Sequence, residues 1–216
     1  MRYRGVVFDF DGTLLDTLED LADSVNQVLA ERGLPIHPVD PYRYFVGDGM
    51  ENLVCRAAPP GTDDAEVKTL AKRLTDVYAA GWARKTRPYD GIVPLLAELR
   101  RRRLALALLS NKPDHFTKIM ASHYFGASAF DLVFGAREGV PKKPDPAAAL
   151  EIAEKLRIAP ADFLYFGDTN TDMRTGLAAG MMTIGVSWGF RPVAELLEAG
   201  AVAILNHPGE ALALLE

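Results

Sequence analysis

The sequence of 216 residues holds a single cysteine, Cys55. No disulfide can form within the chain, which fits a reducing compartment and gives the expectation of a cytoplasmic protein. Cys55 falls in a helical pattern and reads as a small core residue rather than a nucleophile. No apolar run is long enough to cross a membrane, and the first one, in "MRYRGVVFDFDG", is too short for a signal peptide and is broken by acids. Excess positive charge is also lacking: 24 Lys and Arg against 29 Asp and Glu give a net charge of -5, so nucleic acid is not expected as a partner. The four histidines, His37, His115, His123 and His207, show no ligand spacing and read as surface or packing residues. Neither an internal repeat nor a low-complexity stretch is present. What remains is a composition of 49% hydrophobic and 25% charged residues, ordinary for a soluble globular protein of one large domain or one domain with an insertion.

Several short apolar runs do not alternate with polar residues: "GVVFDF" near Val6, "LALALLS" from Leu104, "FLYFGD" from Phe163, "MTIGVS" from Met182, "AVAIL" from Ala201 and, more weakly, "DLVFG" from Asp131. Strands covered by helices on both faces look like this. Helical patterns lie between them at 92–102, 114–124, 146–156, 171–179 and 192–199. The alternation predicts an α/β fold, a doubly wound and mostly parallel sheet.

The segment from Thr17 to about Lys85 breaks the alternation. Thr17 is a candidate N-cap, with Asp20 as a weak capping-box partner. Leu18, Leu21, Val25, Val28 and Leu29 then make one apolar stripe, ended by Gly33 and Pro35. Val67, Leu70, Ala71, Leu74, Val77 and Tyr78 make another. About four helices are expected here, as a cap domain of residues 16–87 inserted into a core of residues 1–15 and 88–216. It leaves and re-enters at the carboxyl edge of the first strand, with hinges near Leu15 to Thr17 and Thr86 to Asp90, and can sit over that edge as a lid.

Parallel α/β sheets bind ligands at the carboxyl ends of their strands. There this sequence offers Asp9, Asp11, Gly12 and Thr13 on the first strand, Ser110, Asn111 and Lys112 on the next, and Asp168 with Asp172 further on. Lys142 and Lys143 precede the helix at Pro146. Converging acids without His or Cys partners suit a hard cation such as Mg²⁺. A lysine and a hydroxyl beside them suit a phosphate. An aspartate can attack phosphorus while a second acid moves a proton. Each piece also has a plainer reading: Asp-x-Asp-Gly as a turn, Ser110 to Asp114 as a helix cap, the two lysines as a solvated pair, Arg100 to Arg103 as a solvated helix end, and Trp82 and Trp188 as packing.

"DFDGT", "SNK", "KKPDP" and "GDTNTD", in this order, resemble the motifs of the haloacid dehalogenase-like superfamily of phosphatases, and the helical insertion matches its common cap position. The resemblance spans essentially the whole chain. It implies a Mg²⁺-dependent hydrolase in which Asp9 is the nucleophile and Asp11 the general acid/base. Ser110 would hold the phosphoryl oxygens and Lys143, directly before Pro144, would neutralise them; Lys142 remains the alternative. Asp168 would complete the metal site with the Asp9 side chain and the Asp11 backbone carbonyl, supported by Asp172. "FVGDGMENL", "RPYDGI" and "SNKP" resemble the phosphoglycolate phosphatase group, although related pyrophosphatases and sugar-phosphate phosphatases look similar. That resemblance implies a small phosphorylated metabolite as partner, in a monomer or homodimer. Thr13, Asn111, Gly47, Asp48, Gly49 and Arg56 join Ser110 and Lys143 as expected substrate contacts. Asp48 would repel a carboxylate-bearing substrate unless Arg56, Arg43 or the metal offsets it. A phosphomutase on the same scaffold and a non-catalytic phosphate-binding module are the competing expectations.

Overall fold

The computed structural model of the protein describes residues 3–215. Six parallel strands form the main sheet: β1 (Gly5–Phe8), β4 (Ala105–Pro113), β5 (Leu132–Ala136), β6 (Phe163–Gly167), β7 (Met182–Val186) and β8 (Ala203–Leu205). Their order is β5-β4-β1-β6-β7-β8. β1 lies in the middle, with Phe8 level with Leu108 of β4 and Phe166 of β6. The fold is therefore the α/β sheet that the apolar runs predict.

The two faces of β1 explain why its sequence is apolar throughout. Successive side chains point to opposite faces. Val6 and Phe8 enter one core cluster with Leu106, Leu108, Leu164 and Phe166. Val7 enters the other with Ala107, Leu109 and Tyr165. The helices α5 (Ile92–Arg101), α6 (Asp114–Phe125), α7 (Ala147–Leu156), α8 (Asn170–Ala178) and α9 (Val193–Glu198) fall close to their predicted bounds. α7 supplies Ala148, Ala149, Ile152 and Ala153 to the second cluster, and Leu95, Leu99, Phe116 and Met120 of α5 and α6 enter the first.

Between β1 and β4 lie α1 (Leu18–Glu31), α2 (Tyr42–Phe45), α3 (Met50–Ala57) and α4 (Asp64–Ala79). Both predicted stripes, on α1 and α4, are buried. The two connections to this helical segment are not independent loops. They pair as a two-stranded antiparallel ribbon, β2 (Leu15–Asp16) on β3 (Arg87–Pro88), with Leu15 opposite Pro88 and Asp16 opposite Arg87.

Four local expectations are corrected. Thr17 makes no side-chain cap bond, its backbone (φ -107°, ψ 1°) lying outside the extended N-cap conformation, and Asp20 does not reach back to it: its buried carboxylate accepts from the backbone N–H groups of Lys85 and Thr86 and from the Thr86 hydroxyl. Asp20 thus ties the start of α1 to the returning chain. Cys55 is exposed, not a core residue, since the buried face of α3 is carried by Leu53, Val54 and Ala57. No side chain caps α6; Asp114 accepts instead from the Gly135 N–H, and Asn111 turns toward the strand ends. Arg100 is not simply solvated but bridges α5 to Asp131 and to the carbonyls of Ser128 and Ala129.

Candidate active site

The carboxyl ends of β1, β4 and β6 bring Asp9, Ser110 and Asp168 to one place. All three are buried, as are Lys143 and Asp172. The Lys143 ammonium lies 2.6 Å from Asp9 Oδ1 and 2.6 Å from Asp172 Oδ1, and 3.2 Å from the Leu109 carbonyl. Lys142, by contrast, is exposed. The two lysines thus differ in place: Lys143 is the one among the acids, and its peptide bond to Pro144 is cis.

The other groups hold these in place. Asp168 accepts from Thr13 Oγ1 at 3.1 Å and from the Phe190 N–H at 2.8 Å. Thr169 and Asp172 form a reciprocal capping box at the start of α8, so Asp172 is both a helix cap and a partner of Lys143. Asn111 receives the Lys143 N–H at 2.9 Å and donates to the carbonyls of Lys143 and Gly47, each at 3.0 Å. It links the lysine to the helical segment rather than capping a helix. Ser110 Oγ accepts from the Lys112 N–H at 3.2 Å. Gly12 has a positive φ of 92°, and a Cβ there would stand 2.2 Å from Asp168 Oδ2; a Cβ at Gly189 would stand 2.2 Å from the Asp168 Cβ. Only glycine lets the chain pass this close to the carboxylate.

The electrostatics follow from the crowding. Burial, and then repulsion from Asp172, push the Asp9 carboxyl well above its ordinary range, although Lys143 pulls it back. Burial and Asp172 likewise push Asp168 up to about 7, against the bonds from Phe190 and Thr13. Burial opposes the Lys143 charge, yet Asp172 and Asp9 outweigh it and hold the ammonium well above the usual lysine range. Asp9, Asp168 and Asp172 each offer a carboxylate oxygen, all within 4.8 Å of one another. Three buried acids against one lysine are short of positive charge, and all the donors are oxygen. A hard divalent cation fits this set.

Asp11 is placed differently. Its carboxylate pairs with Lys112 Nζ, at 2.9 and 3.0 Å, so its side chain lies outside the three-acid cluster. A cavity of about 40 Å³, room for a few waters, is lined by Asp9, Asp11, Ser110, Asn111 and Lys143 on the sheet side and by Leu21, Gly47, Gly49, Met50 and Leu53 on the helical side. Asp48 and Arg56 do not line it. They bond to each other and line an adjoining open groove with Thr171, Arg174 and Arg191. The repulsive acid expected beside the substrate is thus turned outward and paired with Arg56.

A family model described as "Haloacid dehalogenase-like hydrolase" matches residues 6–186. The chain belongs to the haloacid dehalogenase-like hydrolases. Within that family it is 36% identical over 193 residues to a phosphoglycolate phosphatase of Psychrobacter arcticus, covering 86% of this chain and 84% of the relative. It is 33% identical over 219 residues to an N-acetylmuramic acid 6-phosphate phosphatase of Pseudomonas aeruginosa, covering 100% and 96%. A solved structure from Lactobacillus delbrueckii subsp. bulgaricus superposes with a TM-score of 0.93 at 28% identity, covering 100% and 99%.

As a hydrolase of this family, the chain carries site features that the sequence did not single out. Lys112 reads there only as one of three polar residues at a strand end. The loop after β7 presents the Phe190 N–H to Asp168, and Trp188 Nε1 donates to the Thr13 carbonyl at 3.0 Å. The loop follows directly on β7 at the carboxyl end of the sheet, but nothing in "SWGF" itself points to Asp168.

Proposed function

We propose that the protein is a Mg²⁺-dependent phosphatase acting on a small phosphomonoester, with 2-phosphoglycolate as the substrate, through an aspartyl phosphate. The observation that carries the reading is the Lys143 ammonium held 2.6 Å from both Asp9 and Asp172, at the buried junction of the strand ends. Such a lysine is suited to receive phosphoryl oxygens, because its counter-charges are fixed and its position is set by Asn111.

Asp9 is the nucleophile: its carboxylate oxygen attacks phosphorus, the bond to the leaving oxygen breaks, and that oxygen takes a proton from Asp11. Asp11 then removes a proton from the water that cleaves the acyl phosphate. Lys143, the Ser110 hydroxyl, Thr13 and Asn111 orient and neutralise the transferred group. The carboxylates of Asp9 and Asp168 and the Asp11 backbone carbonyl would hold Mg²⁺, supported by Asp172. When bound, the ion supplies charge neutralisation at the phosphoryl group and returns the crowded acids to their ionised forms.

Residues 16–87 act as the cap over a core of 1–15 and 88–216, with Gly47 and Gly49 facing the leaving group and Asp48 and Arg56 at the outer edge. The small cavity supports a short leaving group and a water-excluding closed state. A second reading is supported by the relative from Pseudomonas aeruginosa, which matches over nearly its full length: a sugar phosphate whose far end reaches the open groove.

A screen of phosphate esters with Mg²⁺ separates the two, with 2-phosphoglycolate turning over fastest on the first reading. Asp9→Asn is expected to remove all turnover while leaving the circular dichroism spectrum unchanged. Retained turnover would refute the mechanism. Free phosphate as the only phosphorus product from sugar phosphates would exclude a phosphomutase.

A further inference from the structure

The Lys112 side chain is almost fully buried at 2% exposure, and among the described residues it forms its ion pair with Asp11. The ammonium touches both carboxylate oxygens, at 2.9 and 3.0 Å, which fixes the plane of the carboxylate as well as its position. On its other side the ammonium stands 4.7 Å from the centroid of the Tyr78 ring. Tyr78 belongs to α4, in the helical segment, and is fully buried. Its ring meets Phe116 of α6 edge-on with centroids 5.3 Å apart, and its hydroxyl lies 3.7 Å from the Met120 sulfur. One aromatic side chain of the inserted segment is therefore wedged between a core helix and the lysine that grips Asp11.

A buried lysine needs a counter-charge, and a plain structural pair would meet that need anywhere in the core. This pair does not lie just anywhere. One end is the acid that the proposed reaction uses for proton transfer, and the other is covered by a residue of the segment over the site. We infer that Lys112 is a positioning residue that holds the Asp11 carboxylate in its proton-transferring orientation, and that Tyr78 seats Lys112 so that this orientation depends on the cap. The inference rests on the phosphatase reading and gives the cap a second role besides excluding water.

The test compares kcat/KM for an alkyl phosphate, 2-phosphoglycolate, with that for p-nitrophenyl phosphate, whose leaving group departs without a proton. Loss of a placed general acid slows the alkyl ester selectively. In Lys112→Met the alkyl-to-aryl ratio of kcat/KM is expected to fall roughly tenfold to a hundredfold, less than the hundredfold to ten-thousandfold that a general acid contributes, since Asp11 itself is kept. Combined with Asp11→Asn, it is expected to produce no further fall in the ratio, since both changes remove the same interaction. Tyr78→Leu leaves the ion pair in place and is expected to lower the ratio in the same direction by less; it also serves if Lys112→Met does not fold. An equal loss on both esters, or full additivity with Asp11→Asn, would overturn the positioning role. An unchanged ratio in Tyr78→Leu would overturn the dependence on the cap. Failure of the underlying reading looks different: Asp9→Asn would then keep turnover on both esters, whatever Lys112 does.

Discussion

The strand-end cluster and the helical segment above it are built on opposite terms. At the strand ends nearly every polar atom has a fixed partner: Asp168 is held by Thr13 and Phe190, Asp172 by Thr169 and Lys143, and Lys143 by Asn111. The helical segment is joined to the core by the short β2/β3 ribbon, by apolar side chains that share one buried cluster with the sheet, and by contacts such as Asn111 to Gly47, Tyr124 to Thr86 and Tyr78 to Phe116. The outer groove between the two holds the Asp48–Arg56 pair of the helical segment opposite exposed Arg174 of α8. On the proposed function, the difference puts chemistry among polar groups with fixed partners and selection among substrates at the half-exposed groove beside them.

The comparison breaks first if strand-end changes leave the rate intact. Asp172→Asn removes one of the two anions flanking Lys143, and kcat is expected to fall about a hundredfold on every substrate; steady-state kinetics on two unrelated esters checks that the loss is uniform. The next effect lies at the junction. Asp20→Ala leaves the buried Thr86 N–H and hydroxyl and the part-buried Lys85 N–H without their acceptor, and urea unfolding is expected to show a loss of about 2–4 kcal/mol.

The third prediction concerns pH. Asp168 has a native value of about 7 against an ordinary 3.8, so in protein stripped of divalent cations it favours folding below about pH 4. That contribution is lost as pH rises to about 7. The melting temperature of the stripped protein is expected to rise as pH is lowered from 7 toward 5, and Mg²⁺ is expected to raise it most near pH 7. A melting temperature that ignores Mg²⁺ at pH 7 would contradict the metal site.

Smaller effects belong to the helical segment. Asp48→Ala frees Arg56 at the groove, and is expected to change KM several-fold for carboxylate-bearing esters with little change in kcat. Smallest is the Glu31–Arg73 pair between α1 and α4, at 2.8 Å. The Arg73 bond holds the Glu31 carboxyl down to about 2, so its support is present above about pH 4.5 and lost as pH falls through 2. Arg73→Ala is expected to flatten the acid limb of the unfolding curve slightly and to leave activity unchanged.

How much of this was legible differs by residue. Asp9 and Asp168 announce themselves because a charged residue ending a wholly apolar strand has no packing reason to be there. Asp172 and Lys143 needed the resemblance, since each also fits a helix start or a solvated surface. Lys112, Asn111 and Asp20 were not legible in their actual parts. Their partners lie 101, 32 and 66 positions away in the chain, and no local pattern carries that information.

By itself the sequence determined the α/β class, the place of the insertion and the strand ends that carry acids, because apolar periodicity and chain order control which backbone segments pair. Only the tertiary structure decided which of two adjacent lysines meets Asp9, that Asp48 faces outward to Arg56, and that Asp11 is gripped by Lys112 beneath a tyrosine of the inserted segment. Those outcomes depend on where side chains converge across elements distant in sequence, and a charge there pairs with whatever opposite charges the fold brings within reach.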